Sequence, residues 1–427
     1  MTGLALFAVA FLLLMLGYPV AFTFAAVAVF FAAATGQLEL FAMMPERIYA
    51  LMTNFSLMAV PLFIFMGLIL QRSGLAEMLL RTIGMLFRRL HGGIAIGTVL
   101  VGTILAASIG IVGASVTAMS LIALPVMLQH GYNRRFAAGI ICAAGTLGQI
   151  IPPSIVLIVL AEVLQVPVGE LFRAALLPGL ALSGLYIVWT FLVGLLKPSW
   201  LPALSGENSP SWQEVVKAIV PPLLLIVLVL GSIFAGIVTP TESAAIGAVG
   251  SIALSLLYRR FSWDVLWEAA RETARISAMV FTILIGATAF SMVFSYTGGE
   301  HTVHSFLEAL PGGAGGVLAF SMLLIFTLGF FLDFVEISYI VVPVIAPVLL
   351  RAGFDPIWLG VLLGMNLQTS FLTPPFGFSL FYLKGSAPQL ETLDIYRGVA
   401  PFIALQLLCL MLLILAPELF GLHRMVK

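Results

Sequence analysis

An all-α polytopic membrane protein built from two copies of one unit is the fold class this sequence predicts, and three observations predict it. Of 427 residues, 61% are hydrophobic and 9% charged, where a soluble chain carries roughly a quarter charged residues. The apolar residues gather into stretches long enough to cross a bilayer, which takes about 20 residues at 1.5 Å rise each. A double proline stands inside such a stretch twice, 222 residues apart (152 to 374): Gly148-Gln149-Ile150-Ile151-Pro152-Pro153 and Ser370-Phe371-Leu372-Thr373-Pro374-Pro375. The formal net charge is +0, so the chain lacks the basic footprint of a nucleic-acid binder and its medium is the lipid bilayer.

The same offset aligns Pro125-Val126 with Pro347-Val348, Leu128 with Leu350, and Gly131-Tyr132-Asn133 with Gly353-Phe354-Asp355. Spanning helices are expected at 3–34, 50–70, 136–162, 172–196, 218–236, 239–257, 275–296, 357–383 and 398–419. No basic segment or small-residue cleavage site precedes the first stretch, so 3–34 reads as one retained membrane helix. The stretches at 136–162 and 357–383 contain the proline pairs. Proline removes a backbone N–H and clashes with the preceding turn, so both are predicted to be broken helices. Pro221-Pro222 is expected at the start of helix 218–236, where missing N–H groups cost nothing.

Blocks 93–128 and 315–350 have short apolar arms around small or polar centres, Ser108 to Thr117 and Gly329 to Ser338. Arms of about 15 residues are roughly 22 Å long, short of a core about 30 Å thick. Both blocks therefore read as re-entrant hairpins, with a pair of short tilted spanning helices as the alternative. Arg72, Arg81, Arg88, Arg89, Arg134 and Arg135 flank the first block, while 297–314 holds no Lys or Arg. Positive charge concentrates on the cytoplasmic side, so one hairpin is expected from each face, with the N-terminus cytoplasmic. The organisation is then two inverted repeats, 1–197 and 239–427, joined by a Pro/Ser/Gly-rich linker and connecting helix over 198–238. Residues 74–90 and 261–274 are candidate surface arms.

A helix broken within lipid leaves carbonyls that need partners, from side chains or a bound cation. Before the first pair stand Gly145, Thr146, Gly148 and Gln149; before the second stand Asn366, Gln368, Thr369, Ser370 and Thr373. Glycine permits close backbone approach, and hydroxyl and amide oxygens suit Na⁺, although a single Thr or Ser more often bonds back to its own helix. The second hairpin tip carries Asp333 and Glu336. Carboxylates within an apolar hairpin are costly and mark ion or substrate contacts, unless the tip reaches water. Ser115, Gln149, Glu336 and Asn366 are the candidate substrate contacts. Glu242 reads as a first-turn residue of a helix capped by Thr239 or Thr241. His301 and His304 are too sparse for a metal site, Cys142 and Cys409 read as core residues, and no nucleotide-binding or hydrolase motif occurs. The chain is not expected to be an enzyme.

Gly148 to Ser154, Thr239-Pro240-Thr241-Glu242-Ser243-Ala244-Ala245, Leu332-Asp333 and Gly364 to Gly377 together resemble the large membrane subunit, or DctM-type permease, of tripartite ATP-independent periplasmic (TRAP) transporters. The resemblance runs nearly the whole length. It implies a secondary active, elevator-type, Na⁺-coupled symporter of small organic acids in the bacterial inner membrane. It also implies two partners, a small four-helix membrane subunit and a periplasmic substrate-binding protein. By resemblance one Na⁺ site falls on Ser108, Gly145 and Gly148, and the other on Gly329, Asp333, Thr369 and Thr373. The sequence departs from the family at Val335-Glu336. A stand-alone Na⁺/carboxylate symporter or antiporter is the alternative.

Overall fold

The structure, a computed structural model, describes the backbone of residues 2–109, 112–203 and 210–426 and the side chains of all of these but 106–109. The helices run, in chain order, α1 Thr2–Met15, α2 Val20–Ala34, α3 Met44–Met52, α4 Phe55–Arg72, α5 Leu75–Leu86, α6 Gly93–Ile109, α7 Val112–Gln129, α8 Arg134–Thr146, α9 Ile155–Leu164 and α10 Val168–Leu196. After the linker follow α11 Trp212–Phe234, α12 Pro240–Leu257, α13 Trp263–Tyr296, α14 Gly299–Glu308, α15 Gly313–Leu328, α16 Phe334–Arg351, α17 Pro356–Leu372, α18 Phe378–Ser386 and α19 Thr392–Leu415. Among the described residues, eight helices are long and apolar enough to cross a membrane: α4, α7, α10, α11, α12, α13, α16 and α19.

Element bounds recur at the 222 offset. Shifted by that amount, 112–129 lands on 334–351, the bounds of α16, and 134 lands on 356, the first residue of α17. The shift carries 155–164 to 377–386, beside α18, and 75–86 to 297–308, beside α14. The matched tripeptides do the same local work. Gly131 and Gly353 take left-handed φ values of 77° and 89°, which glycine adopts without a Cβ penalty. Asn133 then caps α8, accepting from Arg135 N and Phe136 N, and Asp355 caps α17, accepting from Ile357 N and Trp358 N.

The expected elements change in four places. The run 3–34 is two helices, because Gly17 (φ 87°), Tyr18 and Pro19 end one and start the next; local breakers override an unbroken apolar composition. The helix expected at 218–236 begins at Trp212. Ser211 caps it and Glu214 returns a bond to Ser211 N at 2.8 Å, so Pro221-Pro222 lie inside it rather than at its start. The arm at 261–274 is continuous with the span after it, giving one helix of 34 residues. In the two blocks with small or polar centres the arms are 17 and 18 residues in the first and 16 and 18 in the second, longer than the estimate from composition.

Small residues allow the closest helix crossings, as they do where dispersion rather than water drives association. A Cβ on Gly139 of α8 would collide with the Gly398 carbonyl of α19, and one on Gly286 of α13 with the Ala21 carbonyl of α2. Near the N-terminal end of α1, a Cβ on Gly3 would meet the Gly299 backbone. Phe7 lies against Phe290 and Phe294, with centroids 6.3 and 6.5 Å apart, and Phe24 lies 5.0 Å from Phe290. Helix α1 therefore runs antiparallel to α13 and α2 runs parallel to it.

Candidate transport site

Both proline pairs fall in gaps between helices, Pro152-Pro153 between α8 and α9 and Pro374-Pro375 between α17 and α18, and both peptide bonds are cis. The carbonyls freed at these gaps find side-chain donors at matched positions. Ser154 Oγ donates to Gln149 O at 2.7 Å, and Ser379 Oγ donates to Phe371 O at 2.8 Å; 149 and 371 differ by the repeat offset. An unpartnered buried carbonyl costs about 1–3 kcal/mol. Ser154→Ala and Ser379→Ala are each expected to lower stability by about that amount, measured by thermal unfolding in detergent. Unchanged melting in either would mean that its carbonyl has another partner.

The hydroxyls beside the second break bond back along their own helix. Thr369 Oγ1 donates to Met365 O, Ser370 Oγ to Leu367 O and Thr373 Oγ1 to Thr369 O, at 2.7–2.8 Å. Their oxygens keep lone pairs for a cation. Gly329, at the end of α15, presses on this segment so closely that a Cβ would overlap Ser370 Oγ. Gly145 presses likewise on the first turn of α7, where a Cβ would meet Val116 Cα and N at 3.0 Å. Gly148 is buried beside it. The side chain of Ser108 lies outside the described residues.

Asp333 caps the second arm of its hairpin. Its Oδ1 accepts from Phe334 N at 2.8 Å, while Glu336 Oε2 accepts from Asp333 N at 3.0 Å. This reciprocal pair satisfies two first-turn donors and accounts for the Asp333–Glu336 spacing. Both carboxylates line a cavity of about 560 Å³. Its walls come from every element singled out in the sequence: Val112 and Gly113 of α7, Ile155 after the first break, Phe371 and Phe378 around the second, and Asp333 to Glu336. Pro19 with the first turn of α2, through Phe22, and α13 from Ile276 to Ile283 close the other side.

Of the other candidates, Ser115 and Gln149 are buried, and their side-chain polar atoms have no hydrogen-bond partner among the described residues. Asn366 is used structurally, donating to Met322 O of α15 at 2.8 Å. None of these three lines the cavity. Sequence reasoning missed the ring-bearing wall formed by Phe334, Phe371, Phe378 and Tyr382, although Phe378 and Tyr382 stand four apart, on one helix face, directly after the second break. It also missed the start of α2 at Pro19 to Phe22, hidden in a run read as one helix. Among the described residues no three His, Cys, Asp or Glu gather as a metal cage. An alkali cation here would rest on Asp333, hydroxyl oxygens and backbone carbonyls, a hard oxygen set that fits Na⁺.

Two interrupted hairpins and two interrupted helices around one cavity, in an otherwise helical chain with eight spanning-length helices, define a polytopic membrane transporter. The chain belongs to the family described as "Tripartite ATP-independent periplasmic transporter, DctM component", whose model matches residues 7–419. It is 31% identical over 336 residues, 78% of each chain, to the C4-dicarboxylate TRAP transporter large permease protein DctM of Pseudomonas aeruginosa. It is 28% identical over 414 residues, 95% of each chain, to the ectoine TRAP transporter large permease protein TeaC of Halomonas elongata. In fold it is similar to the Alcanivorax borkumensis YdaH transporter, with a TM-score of 0.62 at 16% identity over 91% of this chain and 90% of that one.

Proposed function

We propose that this chain is the membrane permease of a Na⁺-coupled importer of small organic acids, working in the bacterial inner membrane. A periplasmic binding protein delivers the substrate, and a small four-helix membrane subunit completes the complex. The observation that carries the reading is the cavity on which both hairpin tips and both helix breaks converge. Among the described residues two carboxylates and no Lys or Arg line it, so an anionic substrate needs cations beside it, as coupled Na⁺ supplies.

The recurrence of element bounds at the 222 offset supports two repeats. Placing the Arg-rich flanks of α6 and α7 in the cytoplasm and the uncharged 297–314 corner outside inverts one repeat against the other. Helix α1 then packs antiparallel and α2 parallel to α13, with Gly3 at its outer corner. On this reading the N-terminal end of α1 is external, opposite to the expectation from a single helix at 3–34.

Alternating access follows as an elevator: the hairpins α6–α7 and α15–α16 and the broken helices α8–α9 and α17–α18 move against α2, α4, α12 and α13. The present conformation reads as inward-facing. Asn54 Nδ2 of the α4 cap donates to Glu162 Oε1 of α9 at 2.7 Å on the outer side. On the inner side a second cavity of about 520 Å³ opens between Gln71, Arg72, Glu77 and Glu272 and the α7 face at Ala114 to Ile122.

Thermal unfolding of the purified chain in Na⁺, against K⁺ and choline at equal ionic strength, tests the coupling. A cation at 10–100 times its dissociation constant adds roughly 1.4–2.7 kcal/mol per site, so a saturable, Na⁺-specific rise is expected. Equal melting in all three salts, together with uptake indifferent to the Na⁺ gradient in proteoliposomes, would overturn it. Full uptake with neither partner present would point instead to a stand-alone symporter.

A further inference from the structure

The cavity that carries the transport reading is unusual for a site meant to hold a short polar acid. Of the twenty described residues that line it, only Thr282, Asp333, Glu336 and Tyr382 bear polar side-chain atoms. Four rings stand on one wall: Phe334 opens α16, Phe371 ends α17, and Phe378 and Tyr382 lie one turn apart on α18. Phe371 and Phe378 are 5.0 Å apart at 48°, and the Tyr382 ring is held against the first hairpin tip, where a Cβ on Gly113 would meet its Cζ at 2.7 Å. The opposite side carries one ring, Phe22 of α2, among aliphatic side chains such as Met279 and Ile283, and aliphatic groups are enough for a face that slides. Rings gathered from three separate segments are what packs a flat or bulky apolar body. A volume of about 560 Å³ also lies within the range of about 300–1,000 Å³ typical of sites that enclose sizeable organic ligands.

Charge narrows the class further. Among the described residues the only charged side chains in the lining are two carboxylates, three residues apart. A carboxylate placed there shares a cation with Asp333 or Glu336. A second carboxylate at the far end of a dicarboxylate would sit among aliphatic and aromatic groups with no cationic partner, at the cost of an unpaired desolvated charge. Resting on the transport reading above, we propose that the substrate is a monocarboxylate with an aromatic or branched apolar body, its carboxylate at the Asp333–Glu336 end and its body against Phe334, Phe371, Phe378 and Tyr382.

The test is titration calorimetry of the purified chain in lipid nanodiscs, in Na⁺, with phenylacetate, 4-methyl-2-oxopentanoate and succinate as probes. The two monocarboxylates are expected to bind at least about tenfold more tightly than succinate. Phe378→Ala should weaken phenylacetate by about tenfold, the upper end of one ring–ring contact. Phe378→Leu, which preserves apolar volume and so folding, should weaken phenylacetate but not 4-methyl-2-oxopentanoate. Succinate binding as tightly as the monocarboxylates, no probe binding at all, or phenylacetate affinity indifferent to Phe378 would each overturn the proposed class. A Na⁺-specific rise in melting temperature under those same outcomes would leave the transport reading standing; its absence, with no Na⁺-driven uptake of any acid, would remove both.

Discussion

Asp333→Asn is expected to abolish the Na⁺-specific gain in stability and to reduce Na⁺-driven uptake about tenfold or more, equivalent to roughly 1.4 kcal/mol or more on the barrier. The substitution separates two jobs of one side chain. As a cap, Asp333 uses Oδ1 to accept from Phe334 N. Asn caps helices as well as Asp does, so melting in K⁺ should change little. As an ion contact, Asp333 contributes a negative charge to an apolar cavity, and Asn removes that charge without altering shape. The comparison is melting and uptake of both proteins in Na⁺ and in K⁺. Undiminished Na⁺ activation in the variant would exclude Asp333 from the ion site and leave it only the cap.

Gly145→Val is expected to abolish uptake and to lower stability by about 1–3 kcal/mol, the usual range for overpacking. A Cβ at Gly145 meets Val116 Cα and N at 3.0 Å. The nearest atom is Val116 Cγ2, and with the backbone behind it at 3.0 Å turning that side chain does not clear the space, so the N-terminal end of α7 must move. That end begins with Val112 and Gly113, which line the cavity. Displacing it opens the site at the first hairpin tip. Gly184→Ala on α10 is the matched control: nothing lies within 4 Å of its Cβ position, and Ala in a helix interior is favoured over Gly by roughly 1 kcal/mol. Uptake by Gly145→Val at the level of the control would reduce the close approach to a detail of packing.

Much of this architecture is legible in the sequence because its strongest signals are local and repeated. Gly131-Tyr132-Asn133 and Gly353-Phe354-Asp355 encode a left-handed glycine followed by an Asx cap, and each performs that task. The proline pairs at 152–153 and 374–375 stand between helices as expected, whereas Pro221-Pro222 are accommodated inside α11. Thr239 and Glu242 form the expected cap, while Thr241 instead donates to Phe55 O of α4. What escaped was of another kind. Composition does not distinguish one long apolar helix from two short ones, so the Gly17–Pro19 break was submerged in its surroundings. Pro221-Pro222 misled because a proline pair looks like a helix start, yet the Ser211–Glu214 cap ten residues earlier fixes the start. Asn366 looked like a ligand by chemistry, but its partner, Met322 O, is set by how α15 crosses α17, which no linear pattern encodes.

Close helix crossings also join the two halves of the chain. Gly139 is seated on Gly398, Gly360 on Leu171, Gly113 on Tyr382 and Gly286 on Ala21, and each pair joins a residue before 198 to one after 238. Under the repeat reading, neither half alone could close the cavity, whose lining comes from both. A half-length ancestor would have needed a second copy of itself, inserted upside down in the same membrane, to build the site at all. Such an ancestor must have inserted in both orientations with similar ease, and gene duplication would then have freed each copy to acquire the arginines that fix its direction. In the laboratory the same interleaving suggests that the two halves, expressed as separate chains, should find each other in the membrane rather than persist alone.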